Sequence, residues 1–176
     1  AIARALAIDP KLIVADEAVS ALDMSTQSEV INLLGRLTRD FGLTCVFISH
    51  NLSIVRHISD RIAVMYLGQV VELGPADTIY SAPQHPYTEA LLSAIPLPDP
   101  VLQRARPQVV LEGETPDPAY PPKGCAFASR CPSAQQICID TDPEHTDRLG
   151  DGTPSACHLA KSRPMVAPVR PEVTPV

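Results

Sequence analysis

Leu12-Ile13-Val14-Ala15-Asp16-Glu17 decides the fold. Four apolar residues follow one another without alternation, the pattern of a strand covered on both faces in a parallel sheet. Asp16 and Glu17 then emerge at the carboxyl end of that strand, where open α/β sheets place their ligands. A second run of the same kind, Leu43-Thr44-Cys45-Val46-Phe47-Ile48, ends in Ser49-His50. Between them Thr26-Gln27-Ser28-Glu29 has capping-box spacing, and Val30, Ile31, Leu33, Leu34, Leu37 and Phe41 recur at helical intervals until Gly42 supplies a C-cap. Strand, helix and strand with a crossover of this length predict parallel neighbours in a layered α/β domain.

Outward from this unit, residues 1–8 read as a helix stopped at Asp9-Pro10. Residues 52–58 read as a short helix, and residues 61–67 with 69–73 as a hairpin turning near Gly68, closed by Gly74-Pro75. Proline divides the chain into two regions of different character. Only Pro10 lies in the first 74 residues, and the other 18 prolines lie between Pro75 and Pro175. Proline interrupts helices and ladders alike, so the later region is expected to hold short elements and extended runs.

The chain of 176 residues is 45% hydrophobic, has no Trp, and carries a formal charge of −6. That balance argues against a nucleic-acid module working by phosphate neutralisation. No stretch reaches the roughly 20 apolar residues of a bilayer-crossing helix. The start, Ala1-Ile2-Ala3-Arg4, has neither an initiating Met nor a signal peptide's h-region, and is expected to be a cut within a longer coding sequence.

A carboxylate at a strand end can hold Mg²⁺ while its neighbour orients a water for in-line attack on a phosphate. The plain alternative is a pair of acidic residues at a turn and a packed or capping histidine. Adjacent parallel strands would bring Glu17 and His50 together, and Ser20-Ala21-Leu22-Asp23 lies close behind. With these residues the chain resembles the ATP-binding subunits of ABC transporters. Leu12 through Glu17 matches the Walker B pattern of that family, Ser20-Ala21-Leu22-Asp23 its D-loop, and His50 its H-loop. The resemblance implies the latter half of a P-loop-type ABC nucleotide-binding domain. By it, Asp16 assists Mg²⁺ binding, Glu17 is the catalytic carboxylate, His50 is the switch histidine, and Asp23 couples the site to an opposing subunit. Ala18 stands where the family usually has Pro. The chain contains no G-x-x-x-x-G-K-[ST] cradle, Q-loop or signature motif. Without phosphate-binding amides and their Lys, these residues alone are expected neither to bind ATP tightly nor to hydrolyse it.

Gln69-Val70-Val71-Glu72-Leu73-Gly74 and His85-Pro86-Tyr87-Thr88-Glu89-Ala90-Leu91-Leu92 resemble the region after the ATPase core of bacterial dipeptide and oligopeptide importers, with nickel importers close behind. Pro86 suits the first turn of a helix whose Tyr87, Leu91, Leu92 and Ile95 pack on the core. Four cysteines, Cys125, Cys131, Cys138 and Cys157, are separated by five, six and eighteen residues, and Cys45 lies in an apolar strand. Two disulfides, a zinc site, an iron–sulfur cluster and unligated thiols all fit this count. An ATP-using subunit belongs in a reducing compartment, which disfavours disulfides. Zinc usually takes C-x2-C knuckles, absent here, and four thiolates at wider spacings can surround a cube, but spacing alone does not decide between the metals. The resemblance adds weight to the cluster, since some peptide-importer subunits carry a [4Fe–4S] cluster in a cysteine-rich C-terminal segment; Zn²⁺ is the alternative. His158 sits too close to Cys157 for both to ligate easily. Such a centre would replace a missing core.

The expected organisation is therefore an α/β ATPase portion over residues 1–75, docking helices and a Pro-rich connection over 76–124, a cysteine-rich metal-binding extension over 125–160, and a disordered tail over 161–176. The cofactors implied are ATP and Mg²⁺. The partners implied are a second ATP-binding subunit, transmembrane permease subunits and, indirectly, a solute-binding protein, at the cytoplasmic face of the bacterial membrane. A DNA-associated ABC ATPase and a non-catalytic metal-binding interaction module are the rival readings.

Overall fold

The computed structural model of the protein describes residues 2–97, 99–105 and 108–165. Two compact units divide between Ser59 and Asp60.

In the first unit, α1 (Ile2–Leu6), β1 (Leu12–Asp16), α2 (Met24–Asp40), β2 (Thr44–Ile48) and α3 (Leu52–Ile58) succeed one another in the predicted order. The two strands are parallel, with Leu12 opposite Thr44, Val14 opposite Val46 and Asp16 opposite Ile48. The crossover helix α2 begins earlier than the capping box implies. Asp23 is its N-cap, accepting from the amides of Ser25 and Thr26 at 3.1 and 3.0 Å and from the Thr26 hydroxyl at 2.8 Å. A carboxylate satisfies several orphan amides at once and suits the positive end of the helix, so it takes the cap from Thr26. Those bonds, the Thr26 amide foremost, hold the exposed Asp23 carboxyl down at about 2. At the other end Gly42 adopts φ +62° and Leu43 donates to the Thr38 carbonyl at 2.8 Å, the left-handed helix ending that its glycine predicted.

Alternation along the strands puts Ile13, Ala15, Cys45 and Phe47 on one face of the sheet, and Leu12, Val14, Thr44, Val46 and Ile48 on the other. Ile13, Ala15 and Phe47 line an apolar cavity with Ile31 and Leu34 of α2, both buried. The opposite face differs from the expected double cover: Val14 is 60% exposed and Ile48 47%. The described residues of this unit supply no layer for it.

In the second unit β3 (Arg61–Tyr66) and β4 (Gln69–Pro75) form the predicted antiparallel hairpin, with a register shift between Val64 and Met65. Residues 154–156 add to β4 on its far side: Ala156 donates to Val71 and Leu73 donates to Pro154. That pairing explains why the hairpin belongs with the cysteine-bearing region and not with residues 1–59. Three further helices come next, α4 (Ala76–Ser81), α5 (Pro86–Ser93) and α6 (Pro100–Ala105), then a 3₁₀ turn at Ala128–Arg130 and α7 (Gln136–Asp140). The core is built from Ile62, Val64, Tyr66, Val71, Ile79, Tyr80, Leu92 and Phe127. Tyr66 meets Tyr87 and Phe127 edge-on, with ring centroids 4.7 and 5.3 Å apart, a preferred aromatic geometry.

Residues 161–165 of the expected tail pack on the second unit. Arg163 is buried, its amide donates to Pro83, its guanidinium donates to the Gln84 carbonyl and pairs with Glu89 at 3.0 Å, and Met165 donates to Ser81. Residues 166–176 of that expectation lie outside the described residues.

At the centre of this unit Glu72 is wholly buried, its two carboxylate oxygens accepting separately from the Gln84 amide at 2.6 Å and the His85 amide at 3.1 Å. Burial pushes its carboxyl pKa up, against the hydrogen bonds it accepts and the charge of Arg163. Glu72→Gln keeps the shape but offers one acceptor and turns a donor toward the second amide. It is expected to lower unfolding free energy by about 1–3 kcal/mol in denaturant titrations. The native contribution of Glu72 is greatest below its ordinary 4.5 and declines as pH rises through the raised folded value, a slope that the variant should lack.

Candidate functional site

The carboxyl ends of β1 and β2 meet. Past the last paired residues the Glu17 amide still donates to the Ile48 carbonyl at 3.0 Å, extending the ladder by one bond. Glu17 then turns left-handed, with φ +46°, a conformation that a residue with a long side chain adopts at a cost. The turn is held from downstream: the Ser20 amide and hydroxyl donate to the Glu17 carbonyl at 3.1 and 2.9 Å. These bonds brace the position that Ala18, in place of proline, leaves without a rigid ring.

From β2, Ser49 and His50 lead into α3, whose N-cap Asn51 accepts from the amides of Ser53 and Ile54 at 3.1 and 3.3 Å. Capping fixes the chain direction after His50. The result is a hydrogen bond of 2.9 Å between His50 Nδ1 and Glu17 Oε1, between residues 33 apart in sequence. The side chains are 80% and 41% exposed, so the pair is open to an incoming ligand. Asp16, also exposed, precedes it on the strand. A carboxylate oriented by an imidazole, with a second carboxylate adjacent, can hold and polarise a water beside a metal-bound anion.

Ser20, Ala21, Leu22 and Asp23 form the connection from this site to α2. Leu22 donates to Val19 at 3.2 Å, and Gln27 ties the Val19 carbonyl at 2.9 Å. The Asp23 carboxylate is engaged at the helix cap.

In the second unit Cys125, Cys131, Cys138 and Cys157 line one cavity, together with His85, Phe127 and His158. All five cysteines of the chain are free thiols, so the disulfide alternative is not realised. Burial pushes the Cys125 thiol up to about 11, with the neighbouring thiols of Cys157, Cys138 and Cys131 adding to it against the Phe127 amide. Cys131 and Cys157 are raised by burial too. Their convergence depends on close backbone packing: Cys125 donates to the Cys138 carbonyl at 2.8 Å, and a Cβ on Gly124 would collide with the carbonyls of Cys138 and Ile139. Among the described residues, however, no group of three or more His, Cys, Asp or Glu is disposed to hold a metal ion. That disposition supports neither an iron–sulfur cluster nor the zinc alternative. His158 is not a spare ligand at Nε2, which lies 2.9 Å from the Thr141 carbonyl.

Two residues that the sequence analysis quotes within longer motifs, without a role of their own, hold this unit together. His85 is buried, and its Nδ1 accepts from the Tyr87 amide at 3.1 Å, capping α5. Burial, aided by the charge of Arg163, holds its pKa down at about 4 against a bond to the Ala156 backbone, so the ring is neutral. A histidine directly before proline at a helix start is the available signal. Glu72 carries none, because an acidic residue in a hairpin reads as solvent-facing.

Residues 71–138 match the family described as "Oligopeptide/dipeptide transporter, C-terminal region". The chain is 56% identical over 142 residues to the oligopeptide transport ATP-binding protein OppF of Salmonella typhimurium, covering 81% of this chain and 42% of that one. It is 53% identical over 161 residues to AppF of Bacillus subtilis, an oligopeptide transport ATP-binding protein, covering 90% and 48%. It is 50% identical over 163 residues to the di/tripeptide transport ATP-binding protein DppF of Pseudomonas aeruginosa, covering 92% and 49%. The chain thus spans less than half the length of these relatives. Similarity of this extent, joining the strand-end site to the hairpin and the cysteine region, assigns the chain to the family of oligopeptide and dipeptide transport ATP-binding proteins.

Proposed function

We propose that the chain is the latter part of an ABC-type ATP-binding subunit that energises peptide uptake across a bacterial membrane. The observation that carries the reading is the 2.9 Å bond between Glu17 and His50 at the ends of adjacent parallel strands. In this reading Glu17 orients and polarises the attacking water, and His50 holds Glu17 and contacts the γ-phosphate. Asp16 would hold Mg²⁺, which supplies charge neutralisation at the phosphates when bound. Ser20, Ala21, Leu22 and Asp23 present a short braced loop to an opposing ATP-binding subunit. The match over residues 71–138 favours peptide transport over the DNA-associated alternative, and permease subunits and a solute-binding protein are the partners implied. No helix among the described residues is long and apolar enough to cross a membrane, in keeping with a peripheral position on the cytoplasmic face.

The four cysteines of the second unit are proposed as ligands of a [4Fe–4S] centre with a structural role. Support comes from their convergence on one cavity. Burial also makes the Cys125, Cys131 and Cys157 thiols resist ionising without a cation to compensate.

The first test is a chimera in which this chain replaces the aligned residues of the Salmonella typhimurium relative. It should hydrolyse ATP, and Glu17→Gln should lower kcat by roughly 10²- to 10⁴-fold while nucleotide binding persists. Undiminished turnover by the variant would contradict the assignment. Separately, protein purified without oxygen should be brown and carry about four iron and four sulfide per chain, lost in Cys138→Ser; metal-free or zinc-loaded protein would overturn the cluster.

A further inference from the structure

The peptide unit joining Val19 to Ser20 is held at both of its ends. Its carbonyl accepts from Gln27 Nε2 at 2.9 Å and from the Leu22 amide at 3.2 Å. Its N–H, which belongs to Ser20, donates to the Glu17 carbonyl at 3.1 Å, alongside the Ser20 hydroxyl at 2.9 Å. A peptide unit is planar and stiff, so fixing the carbonyl fixes the direction of the N–H. Gln27 therefore stands two hydrogen bonds and one rigid plane away from Glu17. It is anchored in turn: half-buried in the first turn of α2, it donates its own amide to the Asp23 carbonyl at 2.8 Å. Val19 is buried as well, so neither end of the clamp is a loose surface contact.

What stands at the end of this path is the left-handed backbone of Glu17, φ +46°. Such a conformation is costly for a residue with a long side chain and persists where the surroundings over-determine it. The Glu17 amide is held by the Ile48 carbonyl at 3.0 Å, and the Glu17 carbonyl is held through Ser20. We propose that Gln27 is a positioning residue for Glu17: by clamping the Val19–Ser20 peptide to α2, it sets the turn from which the Glu17 carboxylate meets His50. The proposal rests on the ABC-type reading above and adds to it a residue outside the Walker B, D-loop and H-loop positions. A purely structural role, in which Gln27 only satisfies a carbonyl beside a buried Val19, would affect stability and be indifferent to the side chain at position 17.

The test uses the chimera described above. Gln27→Met keeps the length of the side chain without its donor, and Gln27→Glu keeps its shape without the donor; circular dichroism checks that each folds. Either is expected to lower kcat for ATP roughly 10- to 100-fold, because a displacement of about 1 Å can cost the larger factor, while KM for ATP stays within about twofold. Gln27→Lys, which retains a donor at similar reach, should recover most of the loss. Combined with Glu17→Gln, Gln27→Met should cost less than about a further twofold, since the group it aims is already gone. The Ser20 amide should exchange its proton at least about tenfold faster in Gln27→Met. Unchanged kcat, unchanged exchange at Ser20, or a loss that persists in full beside Glu17→Gln would overturn the role of Gln27 and leave that of Glu17 standing. Undiminished turnover by Glu17→Gln alone would instead sink the ABC-type reading and the catalytic consequence of the clamp together, with faster exchange at Ser20 then marking a clamp that serves the fold only.

Discussion

The parallel register of β1 against β2 is the constraint on which the candidate site depends. Asp16 opposite Ile48, with the bond from the Glu17 amide to the Ile48 carbonyl just beyond it, leaves Glu17 and His50 emerging at the same level. A slip of one residue would turn one strand over against the other and take Glu17 and His50 out of level. The left-handed turn at Glu17 and the caps at Asp23 and Asn51 then convert that level into a direct hydrogen bond.

The second unit is organised around a buried carboxyl group. Glu72 is buried at the middle of β4, and by accepting from Gln84 and His85 it fixes the approach to α5. His85 continues the connection, capping α5 with one ring nitrogen and contacting the Ala156 backbone, beside Cys157. Residues 154–156 lie against β4, so hairpin, helix and cysteine cavity form one cooperative body. Losing an acceptor at Glu72 would therefore be felt at the thiols, without any direct contact between them.

Much of this is legible in the chain. Unalternating apolar runs ending in Asp16-Glu17 and Ser49-His50 foretell parallel strands and the meeting of their ends, because a crossover helix of 17 residues leaves few other arrangements. The capping box points to Thr26 instead of Asp23 because it names only one pattern, whereas an aspartate can serve several amides. The bare face of β1–β2 is not foreseeable, since hydropathy reports what a strand requires and not whether neighbours are at hand. Packing of 161–165 and the addition of 154–156 to β4 are hidden too: proline-rich stretches show no periodicity, and their pairing depends on residues far away in sequence.

The central claim is that Glu17 and His50 act as one unit on the phosphate. A double-mutant cycle on ATP turnover in the chimera measures that directly. Coupled action predicts that Glu17→Gln together with His50→Ala is within about threefold of the slower single variant. Effects that multiply would mean that the two side chains work independently, and that their hydrogen bond is a feature of the fold without catalytic consequence.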